Sequence, residues 1–256
     1  MILCDSHTHL DQYPTGEIPE VLQRADLAGV KLIIAAGTTL ESSKECIRLA
    51  NEYDSIFAGV GVHPMDVQDY LSDNICEELG TLASNNSKVR CISEIGLDYM
   101  AGAPEHRVQD QAFRAQIRIA RKLNLPVIVH ARESYDDVLR ILREEGVREI
   151  GGVMHYFQGD KSTAYNAIDL GMFISLARTL LRLTELQDVV LDIPIENIAL
   201  ETDAAPQPFK KYRHNWTEPR HVLEVAKKLA ELKRVSLEEV SDKTTLNTRT
   251  LLNMMG

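Results

Sequence analysis

The sequence predicts an α/β protein built as a TIM (β/α)8 barrel with additional C-terminal helices. About eight short apolar segments alternate with longer amphipathic ones along the 256 residues. A barrel of this kind needs eight strand–helix units and typically roughly 250 residues. The apolar segments are also nearly continuous in hydrophobicity, which is typical of parallel strands covered on both faces.

The elements follow from these patterns in chain order. Apolar runs predict strands at residues 2–4, 32–35, 56–60, 90–93, 126–129, 152–154, 172–175 and 198–200. Apolar residues at helical spacing predict helices at 108–123, 134–145 and 218–232. Beyond the last barrel helix, Ser236 to Glu239 reads as a capping box that opens a short helix, and residues 244–254 as a final one.

No repeat, low-complexity stretch or linker divides the chain, so residues 1–256 are predicted to form one barrel domain. The main rival is a doubly wound open sheet. No glycine-rich dinucleotide loop follows an early strand, which disfavours that rival.

Composition restricts the classes of function. The formal net charge of -10 argues against a protein that coats duplex DNA, because phosphate neutralisation requires basic residues. It does not exclude an enzyme acting on a strand end, where bound divalent metals supply positive charge. The four cysteines are scattered, and no apolar run could span a bilayer. We therefore expect a cytoplasmic protein with no membrane association and no stable protein partner.

Two histidines near the start of the chain carry the first functional signal. His7 and His9 follow a strand-like segment and are one residue apart. Because side chains alternate along a strand, both imidazoles point to the same side and form half of a metal site. In a barrel, the C-terminal ends of the strands converge on one mouth. Five of the eight histidines fall at predicted strand ends, together with Glu94 and Asp203; these histidines are His7, His9, His63, His130 and His155.

These residue types suit a centre of two divalent metals. Imidazole and carboxylate ligands accept Zn, Mn, Fe or Co, and carboxylates also accept Mg. A Glu can bridge two cations, and an Asp on the last strand can bind one metal while taking a proton from the activated water. No GxSxG elbow or Cys–His pair is evident, which disfavours covalent catalysis.

At this point the chain resembles the TatD family of metal-dependent hydrolases, within the amidohydrolase-like superfamily. The resemblance spans nearly the whole length and preserves the order of the motifs. It is carried by DSHTHLD at residues 5–11, GVHP at 61–64, EIGLD at 94–98, PVIVHAR at 126–132, GVMH at 152–155, LETD at 200–203, and residues 213–219 and 244–247.

The resemblance implies a metal-dependent deoxyribonuclease, often acting as a 3′-to-5′ exonuclease on a DNA strand end. It implies that His7, His9 and Glu94 hold one metal, and that Glu94, His130 and His155 hold the second. Asp203 would bind the first metal and act on the water, so Asp203 and Glu94 are the catalytic candidates. Ser93, Tyr156, Gln158 and the spacing at 204–206 depart from the family pattern beside this site and bear on substrate preference.

Other residues are candidates for contacts with the substrate. His63 would lie at the mouth, and Arg132 suits a phosphate or else pairs with a nearby acid. Arg178 could face phosphate, and His214 lies in a long loop that could reach the substrate. Lys210, Lys211 and Arg213, interleaved with Tyr212 and Trp216, fit either a strand-end grip or a solvated loop.

Two neighbouring acids have supporting interpretations. Asp98 is predicted to accept backbone hydrogen bonds in its loop. Glu201 would either hydrogen-bond a ligand or be a structural buried acid.

Two alternative functions remain open from the sequence. The same metals could serve an esterase, an amidase or an aminoacyl-tRNA deacylase. A non-catalytic metal-binding barrel is the second alternative, although structural zinc sites are typically closed sets of four ligands.

Overall fold

The computed structural model describes residues 1–254, which form eight parallel strands surrounded by helices. The strands are hydrogen-bonded in sequence order from β1 to β8, so each helical crossover joins neighbouring strands. This confirms the predicted (β/α)8 barrel. The strands are β1 Leu3–Thr8, β2 Val30–Ala36, β3 Ile56–Val60, β4 Val89–Asp98, β5 Val127–Arg132, β6 Gly152–Met154, β7 Met172–Leu176 and β8 Ile198–Leu200.

The helices bury one apolar stripe against the strands. In the fifth helix, for example, the buried side chains are Val138, Leu139, Ile141 and Leu142, at helical spacing. Several helices begin with a side chain that accepts a backbone hydrogen bond, as Ser236 does from Glu239. The helices are α1 Ile18–Leu27, α2 Leu40–Glu52, α3 Asp73–Asn85, α4 His106–Leu123, α5 Tyr135–Glu144, α6 Lys161–Asp169, α7 Thr184–Asp192, α8 Val222–Lys233 and α9 Leu237–Leu251.

The barrel closes between its first and last strands, just beyond the end of β8. Thr8 forms a parallel bridge with Ala204. The amide of His9 donates to the carbonyl of Ala204 at 2.8 Å, and the amide of Asp203 donates to the carbonyl of His7 at 3.1 Å. The seam therefore brings residues from both ends of the chain to the same point of the rim.

The C-terminal helix packs against the opposite end of the barrel. Leu251 and Leu252 join a buried cluster with Cys4, Cys91 and other strand side chains. Ser241 and Thr245 on α9 donate to the carbonyl of Ile2, each at 2.6 Å. Cys4 and Cys91 thus serve as small core residues, as the sequence indicated.

The prediction of two helices after Ser236 is wrong, because one continuous helix runs from Leu237 to Leu251. The Thr244 hydroxyl donates to the Val240 carbonyl at 2.8 Å, and that of Thr248 to the Thr244 carbonyl at 3.0 Å. These side-chain bonds are compatible with an uninterrupted helix, so the threonine-rich stretch does not end it.

The predicted strand positions hold, but three strands run past the C-terminal ends of their predicted apolar segments into polar residues. β1, β4 and β5 continue through polar residues, so that His7, Glu94 and His130 lie within strands rather than after them. Within residues 1–254 no helix combines the length and the apolar character needed to cross a bilayer.

A buried carboxylate anchors the loop that follows β8. Glu218 is only 2% exposed and accepts two hydrogen bonds from Arg24 on α1, at 2.8 and 2.9 Å. Arg213 and Arg220 lie 3.0 and 3.2 Å from the same carboxylate. Burial raises the pKa of Glu218, but the arginines outweigh this effect and lower the pKa below its usual range.

We expect Glu218→Gln to lower the free energy of unfolding at pH 7 by about 2 kcal/mol, because the charge-assisted bonds to the arginines are lost. Since the folded-state pKa lies below the unfolded value of about 4.3, ionised Glu218 stabilises the fold above that pH. This contribution disappears as the pH falls through the folded-state pKa. Urea unfolding of both proteins between pH 7 and pH 3 tests the expected convergence.

The matched control is Glu20→Gln, since Glu20 lies 3.6 Å from the same Arg24 but is exposed. We expect a change of less than about 1 kcal/mol for this surface pair. A pH-independent difference for Glu218→Gln would contradict the electrostatic explanation.

Candidate metal centre

Polar side chains from six strand ends meet at the C-terminal mouth of the barrel. A cavity of about 600 Å³ there is lined by His9, His63, Glu94, His130, His155 and Asp203, and His7 lies fully buried next to it. β1 supplies His7, β4 supplies Glu94 and β5 supplies His130. His155 directly follows β6, and Asp203 lies in the segment after β8. The barrel topology thus brings these distant residues together, as expected.

Glu94 lies at the centre of this arrangement, with its side chain only 3% exposed. Its two carboxylate oxygens face different groups of histidines. Oε2 faces the β1 pair, with His7 Nε2 at 3.4 Å and His9 Nε2 at 3.6 Å. Oε1 faces the nitrogens of His130 at 2.9 Å, His155 at 3.4 Å and His63 at 3.5 Å. A carboxylate shared between two nitrogen-rich groups is suited to bridging two cations.

Four donor atoms converge on the β1 side of Glu94. Asp203 Oδ1 lies 3.3 Å from His9 Nε2 and 3.9 Å from His7 Nε2. The two histidine nitrogens are 3.3 Å apart, which confirms that both imidazoles point to the same side. Four ligands at about 2.1 Å from one ion, in tetrahedral geometry, are separated by about 3.4 Å. His7, His9 and Glu94 therefore fit a divalent metal in both chemistry and spacing, and Asp203 lies beside the histidine pair.

A second group of donors lies on the other side of Glu94. His63 and His130 come together with Glu94, and all three offer ligand atoms within 4.8 Å of one another. His155 lies between the two groups: it approaches Glu94, but its ring stacks on His7 at 3.6 Å and it also forms a donor group with His7 and Asp203. His63, predicted only to contact substrate, is therefore close enough to be a ligand as well.

Buried acids orient two of the histidines from behind. Glu201 is fully buried and lies 3.0 Å from His155 Nδ1, while it also accepts bonds from the Tyr156 amide at 2.7 Å and the Ser175 hydroxyl at 2.6 Å. This contact favours the first of its two interpretations, a hydrogen bond to a histidine of the site. Asp98 accepts from the Met100 amide as predicted, and its other oxygen lies 2.8 Å from His130 Nε2.

Burial and neighbouring charges raise the pKa of some groups in the centre and lower the pKa of others. Burial lowers the pKa of His9 and His155, but nearby carboxylates outweigh it and raise the two pKa values to about 9 and about 10. Burial raises the pKa of Asp203, but its bond to His9 and the neighbouring histidines lower that pKa below its usual range. Burial lowers the pKa of His63 to about 4. The carboxylates therefore stay ionised, and their charge favours a bound cation.

Two glycines allow the strands to approach closely around Glu94. A Cβ at Gly61 would lie 2.8 Å from the carbonyl oxygen of Ser93. Gly96 has a φ of +145°, and a Cβ there would overlap the backbone carbonyl of His130. Only glycine fits both positions without displacing the strand that carries a site residue.

Of the four residues predicted to contact the substrate, two line the metal-centre cavity and two do not. His63 and Arg132 line the metal-centre cavity. Arg178 lies in a neighbouring cavity and pairs with Glu224 at 3.0 Å. His214 is exposed, stacks against Tyr212 at 5.4 Å and lines neither cavity.

Sequence reasoning missed several residues around the mouth. Met65, Met100 and Ala101 line the metal-centre cavity, and Arg182 and Phe209 line its neighbour. All five lie in loops or short 3₁₀ segments, where no hydrophobic periodicity indicates which side chains face the mouth.

Comparison with known proteins agrees with this geometry. A family model described as TatD related DNase matches residues 4–253. The chain belongs to this family. As a TatD family member it is a metal-dependent hydrolase. The chain is 38% identical to the uncharacterized metal-dependent hydrolase YcfH of Escherichia coli, over 96% of this chain and 94% of that protein.

Two further comparisons concern a relative with a named activity and a relative with a crystal structure. The protein named 3'-5' ssDNA/RNA exonuclease TatD of Klebsiella pneumoniae is 31% identical, over 92% of this chain and 91% of that one. The crystal structure of YjjV, a TatD homologue of E. coli, superimposes with a TM-score of 0.89 and 31% identity, over 98% of both chains.

We expect Glu201→Gln to weaken divalent metal binding by about 10- to 100-fold, because an amide cannot accept all three of the bonds that come from His155, Tyr156 and Ser175. Titration calorimetry with Mn²⁺ on metal-free protein measures this effect. Circular dichroism of the metal-free variant separates it from unfolding. Glu196→Gln, an exposed acid that precedes β8, is the control, and equal losses in both variants would contradict the positioning role.

Proposed function

We propose that this protein is a deoxyribonuclease that uses two divalent metal ions to remove nucleotides from the 3′ end of a DNA strand. The observation that carries the proposal is the position of Glu94, whose two oxygens face separate histidine groups. The name of the Klebsiella relative, a 3'-5' exonuclease, supports this substrate class and polarity.

Six residues would hold the metals. His7, His9, Glu94 and Asp203 suit the first ion, and Glu94, His130 and His155 suit the second, with His63 as an additional donor. Divalent metals bound there supply Lewis acidity that activates water and offsets the charge of the scissile phosphate. Mg, Mn, Zn and similar ions fit this mixture of imidazole and carboxylate ligands.

Asp203 is the residue best placed to move a proton. Its side chain is 32% exposed, whereas that of Glu94 is almost completely buried. Asp203 lines the cavity that a substrate would enter, and its pKa below the usual range leaves its carboxylate ionised, so that it would orient the attacking water. Because so low a pKa also makes a weak base, proton transfer to Asp203 would depend on a bound metal that lowers the pKa of the water as well. Glu94 is held between five histidines, so its role is to fix the centre in place.

Arg132 favours a phosphate over a neutral carbonyl substrate. It is exposed at the rim of the cavity, where its planar guanidinium can donate two parallel hydrogen bonds to phosphate oxygens. In the described part of the chain Arg132 forms no ion pair, although the acids Glu133 and Asp136 follow it closely in sequence. A contact between His214 and the substrate stays a prediction.

We expect Asp203→Asn to reduce the turnover of single-stranded DNA by about 100-fold or more, because the proton acceptor is lost. Metal-free protein is reloaded with Mg²⁺, Mn²⁺, Zn²⁺ or Co²⁺ and incubated with oligonucleotides labelled at the 5′ or the 3′ end. A 3′ exonuclease releases the 3′ label first as a mononucleotide. Asp242→Asn, an exposed acid on α9 at the far end of the barrel, should leave turnover unchanged.

Two results would overturn this proposal. Metal-loaded protein could leave every nucleic acid intact, or it could hydrolyse carboxylic esters or aminoacyl-tRNA while sparing phosphodiesters. The second result would assign the same centre to carbonyl chemistry.

A further inference from the structure

A second cavity of about 550 Å³ opens beside the metal-centre cavity. The two share the side chains of Tyr156 and Asp203, so the new cavity begins at the proposed proton acceptor. Its outer wall comes from the segments after β7 and β8 and carries three cations, Arg178, Arg182 and Lys210. We call this space the basic cavity. Its closeness to Asp203 means that a chain longer than one nucleotide could occupy both spaces.

The charges of the basic cavity are only partly neutralised. Arg178 is paired with Glu224, but the Lys210 ammonium donates only to the carbonyl of Asn215, at 2.9 Å. Neither Arg182 nor Lys210 forms an ion pair with a carboxylate anywhere in residues 1–254. Two cations without acidic partners beside the site suit the phosphates of a polyanion.

The neighbouring flank of the mouth, beyond the segment that follows β6, has the reverse charge. A third cavity shares Gln158 with the metal-centre cavity and is lined by the acids Glu133, Asp136 and Asp160. A polyanion entering the mouth is repelled on that side and attracted toward Lys210 and Arg182. The charge distribution therefore favours the basic cavity over the acidic one as the path of the strand.

An aromatic side chain completes the basic cavity. Phe209 lines it and is 81% exposed, so its ring is available to a ligand. The loop that carries Phe209 is held in place, because the side-chain oxygen Oε1 of Gln207 accepts from the Thr217 amide at 2.9 Å and Glu218 anchors the end of the loop. An exposed ring beside cations is the combination that binds single-stranded nucleic acid by stacking.

We propose that the basic cavity binds the retained part of a single-stranded DNA, next to the bond that is cut. Lys210 and Arg182 contact its phosphates, and Phe209 stacks on its base. The base must be unpaired to stack, which makes this cavity a determinant of single-strand preference. The inference rests on the proposed function, since it places the scissile bond at the metal centre.

The test measures binding without catalysis. Fluorescence anisotropy of a short 5′-labelled oligothymidylate is recorded in the presence of a chelator. We expect Lys210→Gln and Arg182→Gln each to weaken binding and to reduce the slope of log Kd against log salt by about 0.7, as the loss of one phosphate contact requires. We expect Phe209→Ala to raise Kd about fivefold or more, and to have no effect on a fully paired hairpin.

Lys211→Gln is the matched control. Lys211 is the next residue in sequence and loses the same charge, but it is exposed, lies 5.0 Å from the Tyr212 ring and does not line the basic cavity. We expect it to leave the salt slope unchanged. The inference is overturned if the three cavity variants bind as tightly as the native protein, or if Lys211→Gln weakens binding as much as Lys210→Gln.

A second assay distinguishes failure of the proposed nuclease function from failure of the basic cavity to bind DNA. Bis(p-nitrophenyl) phosphate has no retained strand, and its hydrolysis by metal-loaded native protein reports on the centre alone. Loss of oligonucleotide binding in the cavity variants with no hydrolysis of either substrate by the native protein would refute the nuclease and support the cavity as a single-strand site.

Discussion

The position of Glu94 constrains the rest of the site. A carboxylate with almost no exposure to solvent is costly unless it is paired, and five imidazoles surround this one. Four strands or strand ends must converge on Glu94 to supply those imidazoles, and the closed barrel of parallel strands brings them together. The close packing of Gly61 and Gly96 serves the same end, because a side chain at either position would push apart the strands that meet at the carboxylate.

Much of this could be predicted from the sequence. Alternation along a strand was enough to place His7 and His9 together, and the convergence of strand ends placed His130 and His155 near them. The position of Glu94 inside β4 could not be predicted, because the β4–β5 pairing shifts register between Ile92 and Ile95, and no periodicity signals such an irregularity. The side chains of the basic cavity lie in loops, where tertiary contacts such as those of Glu218 decide which residues face the mouth.

The chain is acidic overall, whereas one cavity at the mouth of the barrel is lined by cations. A net charge of -10 disfavours indiscriminate binding to nucleic acid, whereas two uncompensated cations beside the centre favour one mode of approach. The anchoring arginines lie behind the mouth loop and are occupied by Glu218, so they stabilise the loop rather than offer charge to a ligand. Arg24, Arg213 and Arg220 thus stabilise the loop, whereas Arg182 and Lys210 are the cations proposed to contact the ligand.

The seam between β1 and the segment after β8 has a consequence for biosynthesis. Backbone bonds there join residues 7 and 9 to residues 203 and 204, so the first donors translated meet their partner only when about 195 further residues have been added. Contacts this distant in sequence form slowly, since a long loop must be closed first. A nascent or truncated chain lacks Asp203 and cannot complete the centre. Under the proposed function, the topology therefore delays hydrolytic activity until the segment after β8 has been synthesised.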